Sequence, residues 1–181
     1  MYRVDTRRYS QGDIIYPNAN SYQDFFVDDV KKCIENVLET GVSNTEKIGI
    51  RKKNLFIFQD FSDALNFSLK KPDSKIYEVI KLSDTICFHR GDMNFTELIK
   101  LFSNQQDVAQ TLAKMYWAGL KTGKPCWEMI VDKIQVSKIL LADEKTRNCL
   151  YDKYQNASTI YHSNIEKLSF DYLQWYYSNN L

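Results

Sequence analysis

What most constrains this chain is the way short apolar runs are interleaved with stretches of helical spacing. Leu55-Phe56-Ile57-Phe58 is a four-residue apolar run, and Trp127–Val131 holds another around one glutamate. Lys75–Ile80 sets Ile76, Glu78 and Ile80 against Tyr77 and Val79. Runs this short read as buried or half-buried strands. Tyr2–Asp5, residues 85–88 and residues 134–140 read as further strands, and the apolar parity shifts at Asp132-Lys133, as a bulge or a tight turn would make it. Residues 7–20, with Gly12 and Pro17, read as loop.

The helical stretches are equally distinct. From Ser21 onward, Phe25, Phe26, Val30, Cys33, Ile34, Val37 and Leu38 keep helical spacing, and Gly41 stands where a helix C′ residue belongs. Asp60 or Ser62 can cap a helix carrying Ala64, Leu65 and Phe67, which stops at Lys71-Pro72-Asp73. Asn94-x-x-Glu97 has the spacing of a capping box and opens a helix through Phe102. Residues 105–118 put Val108, Leu112, Met115 and Tyr116 on one face before Gly119. Two more helical segments, near 142–154 and 165–177, close the chain; the second carries Leu168, Tyr172 and Tyr176 at helical spacing and is expected to dock on the body. Strands and helices mix without strict βαβ order and without a long Gly-rich loop, which gives an α+β class in one domain, a core of 1–141 with a helical extension at 142–181.

Composition narrows the function classes. A net charge of +1 on 181 residues provides no global field for nucleic acid or an anionic membrane. No apolar run approaches the ~20 residues of a membrane helix, and the start has no apolar segment of a secretory signal. Cys33, Cys87, Cys126 and Cys149 form no C-x-x-C pair and lie in apolar neighbourhoods, so buried free thiols in a reducing cytoplasm are expected. With His89 and His162 as the two imidazoles, no metal site is expected. Nucleotide-loop, metalloprotease and nucleophile-elbow motifs are absent. Arg90-Gly91-Asp92 reads as turn and helix-cap chemistry.

Several residues are candidates for chemistry. Glu128 lies among apolar neighbours, so it either faces water or is retained in a cleft. Glu78 poses the same question. Arg3, between Tyr2 and Val4, is a plain edge-strand cation or a fork of donors for a phosphate or ribose. Arg51-Lys52-Lys53 is solvated loop charge or a local anion site. Tyr116-Trp117 is core packing or a stacking wall. The aromatic tail is a docked helix or, less in keeping with its charge, a platform for single-stranded nucleic acid.

Four pieces together resemble the layout of ADP-ribosyltransferases: Tyr2-Arg3-Val4; Asn54-Leu55-Phe56-Ile57-Phe58 with Asp63-Ala64-Leu65-Asn66-Phe67; Ile76-Tyr77-Glu78-Val79; and Trp127-Glu128-Met129-Ile130-Val131. The same order of elements is similar to a bacterial domain family of unknown function. The resemblance implies split, mixed β-sheets with flanking helices gripping NAD. It implies Arg3 and Glu128 as catalytic residues facing one cavity, with Arg3, Arg51, Asn54, Phe56 and Tyr116 on the dinucleotide. Glu128 would bind the ribose hydroxyl and stabilise an oxocarbenium-like state. The implied acceptor is protein or nucleic acid, in a bacterial toxin or phage-defence setting with an inhibitory protein partner. The alternative is a non-catalytic protein-interaction module of a toxin–antitoxin or phage-related system.

Overall fold

A computed structural model describes residues 1–18, 29–69, 71 and 73–141. In chain order the elements are β1 (Tyr2–Asp5), β2 (Ile14–Ile15), α1 (Asp29–Thr40), a 3₁₀ turn (Thr45–Lys47), α2 (Ile50–Lys53), β3 (Leu55–Phe58), α3 (Phe61–Leu69), β4 (Lys75–Ile80), β5 (Cys87–Asp92), α4 (Asn94–Leu101), α5 (Gln106–Trp117), β6 (Trp127–Val131) and β7 (Ile134–Leu141). The expected helices beyond 141, Cys149 and the start of the first helix lie outside the described residues.

The strands form a seven-stranded sheet in the order β2-β7-β4-β1-β3-β6-β5. Every neighbouring pair is antiparallel, which corrects the expectation of mixed sheets. The sheet cannot be flat. Val131 and Ile134 are joined through Asp132 and Lys133, a link that spans at most about 11 Å. Yet β3, β1 and β4 stand between β6 and β7 in the order, and four strand spacings of ~4.8 Å come to about 19 Å. The two halves therefore fold toward each other, with β6 running on into β7 at the corner.

The fold-over creates an inner and an outer face. Leu55, Ile57, Met129 and Val131 from one half meet Tyr77, Val79, Ile134 and Val136 from the other in a single inner core. On the outer face, α3 covers Val4, Phe58 and Ile76, while Ile130 packs with residues of α1, α4 and α5. The seam between the halves is narrow: β1 pairs with β3 only through Tyr2 and Phe58, whereas four residues of β1 pair with β4.

Several local readings change. The strand expected at 85–88 runs instead from Cys87 to Asp92, so Arg90-Gly91-Asp92 is strand rather than turn. Asp92 accepts the backbone N–H of Asn94, while the Asn94 side chain donates to Thr122 and Lys124, so a cap at the start of α4 is supplied from two residues before Asn94. Gly41 ends α1 without a left-handed backbone; a Cβ there would run into Ala113 of α5, and close helix approach is what the glycine allows. Cys33 and Cys87 are exposed and only Cys126 of the three described thiols is buried, all of them free. Cys87 begins an edge strand, and Cys33 lies on the solvent side of α1. Among the described residues no helix is long and apolar enough to cross a membrane.

Candidate functional site

The most concentrated polar chemistry lies under the helices, on the outer face of β6. Arg51 was expected in a basic loop; it sits instead on the single turn of α2 with its guanidinium turned into the protein, 4% exposed. Its Nε and Nη2 donate to the two carboxylate oxygens of Glu35, both at 2.9 Å, a two-pronged pairing. Its Nη1 donates to Glu128 Oε1 at 2.6 Å and to the hydroxyl of Tyr116. Tyr116 in turn donates to the same Glu128 oxygen at 2.6 Å. The guanidinium also stacks over the rings of Phe56 (4.7 Å) and Tyr116 (5.1 Å).

Sequence reasoning named Glu128, Arg51, Phe56 and Tyr116 for one site, and they do meet. Glu35 was missed. Its helix was read by apolar spacing alone, and Glu35 falls on the buried side between Ile34 and Leu38 because Arg51 draws it in. The remaining two candidates stand apart. Asn54 Nδ2 donates to Ile50 O and closes the end of α2. Arg3 turns to the opposite face of the sheet from Glu128. Tyr2 pairs with Phe58 and Phe58 with Glu128, so these three share a face, and side chains alternate along a strand. The expectation that Arg3 and Glu128 face one cavity is thus corrected by the register.

Electrostatics fit a closed network. Burial works against the charge of Arg51, but Glu35, Tyr116 and Glu128 outweigh it and hold the guanidinium well above its ordinary pKa. Burial pushes the Tyr116 phenol well up, against the pull of Arg51, so it remains a neutral donor to Glu128. Glu128 is 2% exposed. An acid buried in this way, with Oε1 accepting from both Arg51 and Tyr116, is shielded from solvent. Beside it, His89 is buried against Tyr116 and Trp117, with Nε2 3.1 Å from Tyr116 O. Burial, with help from Lys47 and Arg51, brings His89 down to about 4, so it is neutral near pH 7.

Arg3 belongs to a second cluster, on the inner face at the seam. Its Nε and Nη2 reach Asp5 Oδ2 at 3.2 and 3.0 Å, and Nη1 donates to Phe56 O at 2.6 Å, bridging to β3 where β-pairing has lapsed. Arg7 grips the same carboxylate through its side chain and its backbone N–H. Although burial opposes it, this pairing holds Asp5 down at about 2. The Arg3 side chain is 16% exposed and the cluster carries a net positive charge. Among the described residues no group of three or more His, Cys, Asp or Glu side chains could hold a metal ion. No protein-family model matches the chain, and a search of curated proteins gives no match to it.

Proposed function

We propose that the chain is an ADP-ribosyltransferase-like domain that binds NAD at the β1–β3 seam and transfers ADP-ribose to a protein or nucleic-acid acceptor. One observation carries the reading. The four strands on which the resemblance rests, β4, β1, β3 and β6, are consecutive in the sheet and meet in the row Glu78–Tyr2–Phe58–Glu128. The folding of the two half-sheets over a shared core agrees with a split sandwich. Arg3 stands at the seam with five N–H donors, three of them bonded as described above, and a pyrophosphate or ribose hydroxyl suits the rest. In this reading Arg3 meets the dinucleotide, and Glu128 holds the outer wall of the seam.

The second reading, a non-catalytic protein-interaction module, is favoured by a separate observation: Glu128 is buried and its Oε1 is held by Arg51 and Tyr116, so the acid that ribosyl transfer calls for is turned into the protein. One set of measurements separates the two. NAD is tested for raising the melting temperature, for being consumed, and for labelling mixed protein and nucleic-acid acceptors, using wild type, Arg3→Lys and Glu128→Gln. The transferase reading expects a stabilising shift and turnover in wild type, with binding weakened by Arg3→Lys, which keeps the charge and loses the fork. A Glu128→Gln protein of unchanged fold with turnover lowered by about 10²–10⁴ returns Glu128 to the chemistry. No shift and no turnover in wild type makes the interaction module the better reading.

A further inference from the structure

The turn that follows α3 carries a lysine with no counter-charge beside it. Ser74 donates to Lys71 O through its backbone N–H and its hydroxyl, at 3.3 and 2.9 Å. Ser74 leads directly into β4, where Lys75 pairs with Asp5, so Lys71 is fixed near the end of β1 that carries Asp5. The Lys71 side chain is half-buried, with Nζ 4.6 Å from the centre of the Phe67 ring. Among the described residues no carboxylate pairs with it. Burial lowers Lys71 below the ordinary lysine range, and Arg3 and Lys31 lower it further against the pull of Asp5. Asp5 is not open to it, because both carboxylate oxygens are already taken by Arg3 and Arg7.

We propose that Lys71, Arg3 and Lys31 form a binding site for a phosphate group at the seam, where β1 and β3 part beyond Tyr2 and Phe58. A half-buried ammonium with no anion beside it costs stability, and further cations within reach add to that cost. Local rules of this kind are broken chiefly at functional sites, where a ligand supplies the missing charge. The donors select the ligand. Lys71 offers three N–H groups on a compact charge, and Arg3 has two of its five N–H groups still unbonded. A phosphate dianion accepts from both at once. It also suits the balance of charge, since Arg3, Arg7, Lys31 and Lys71 stand against the single carboxylate of Asp5. The site calls for neither nicotinamide nor adenine, so it stands independently of the NAD reading.

Titration calorimetry on the full chain tests this with inorganic phosphate at constant ionic strength near pH ~7.5, in wild type, Lys71→Met and Lys31→Gln. Wild type should bind phosphate, and Lys71→Met should bind it about tenfold more weakly. Lys31 is exposed, so Lys31→Gln should fold normally and weaken binding by about threefold; it carries the comparison if the Lys71 variant does not fold. With phosphate absent, Lys71→Met should melt no lower than wild type, because it loses a repelled charge and keeps an apolar stem over Phe67. A lower melting temperature with unchanged phosphate affinity would make Lys71 a packing residue and overturn the site, as would no phosphate binding in wild type. NAD is run beside phosphate. Phosphate binding with no response to NAD supports the site and counts against the NAD reading alone, whereas NAD binding by a protein that ignores phosphate overturns the site alone.

Discussion

Arg51 draws two carboxylates and a phenol from three different elements onto one guanidinium, all of it out of water. A buried ion network of this kind adds little net stability over an apolar core, yet losing one partner is severe, because the rest stay buried and uncompensated. Arg51→Met should therefore cost about 3–5 kcal/mol in denaturant unfolding. Adding Glu35→Gln and Glu128→Gln to that variant should recover a large part, since neutral amides tolerate the site better. A single variant as stable as wild type would mean that the network opens in solution. Gly91 makes the same point by shape. It pairs with Glu128, and a Cβ there would fall well inside contact distance of the Tyr116 ring. Gly91→Ala is expected to cost about 1–3 kcal/mol by forcing that ring off its partner, and the loss should shrink when Tyr116 is replaced by Leu.

Asp92 shows how elements are held to one another. Its Oδ1 accepts the N–H groups of Asn94 and Cys126, and its Oδ2 accepts the N–H and the hydroxyl of Thr122, so one buried carboxylate ties the end of β5 to α4 and to the segment entering β6. Asp92→Asn sets an amide NH₂ against those donors and should cost about 1.5–3 kcal/mol, read as a lower unfolding midpoint. Elements defined by their own periodicity were legible in the sequence: β3, β4, β6 and β7, and α4 and α5 with Val108, Leu112 and Tyr116 buried. Those fixed by distant partners were not. The turn of α2 is four residues long and carries three cations, so nothing local announced that Arg51 points inward. Glu35 carries no apolar signal of its own, and its place on the buried side of α1 depends on its pairing with Arg51. The site was half legible for the same reason: the apolar neighbours of Glu128 singled it out as either water-facing or retained, but the face it shares with Arg51 rather than Arg3 is a matter of register.

At the scale of the whole molecule, three titrating groups with shifted pKa values shape stability against pH. Asp5 lies at about 2 in the folded protein, since Arg7 and Arg3 outweigh its burial, against about 3.9 unfolded. Its contribution is present above pH ~4 and is lost as pH falls toward 2. His89, lowered by burial to about 4 against about 6.5 unfolded, takes up its proton more readily once unfolded. It adds stability as pH rises from 4 to 6.5. Asp63 acts the other way. Burial, with Asp60 and Asp92 nearby, raises it to about 6 despite its hydrogen bond with Cys126. A carboxyl raised in the folded state favours folding at low pH, and that gain disappears as pH climbs from about 4 through 6. Over this window His89 and Asp63 oppose each other. His89 is the more deeply buried and Asp63 is partly solvated, which weakens its hold, so wild type should gain stability gently between pH 4 and 6.5. Asp63→Asn removes the opposing group. Its profile should climb more steeply over the same range and end above wild type at pH 7.5, by a few degrees at most in melting temperature. Denaturant unfolding at half-unit steps from pH 3.5 to 7.5 measures both slopes. Parallel profiles for the two proteins would mean that Asp63 titrates near its unfolded value, and a fall in wild type across this range would mean that Asp63 outweighs His89.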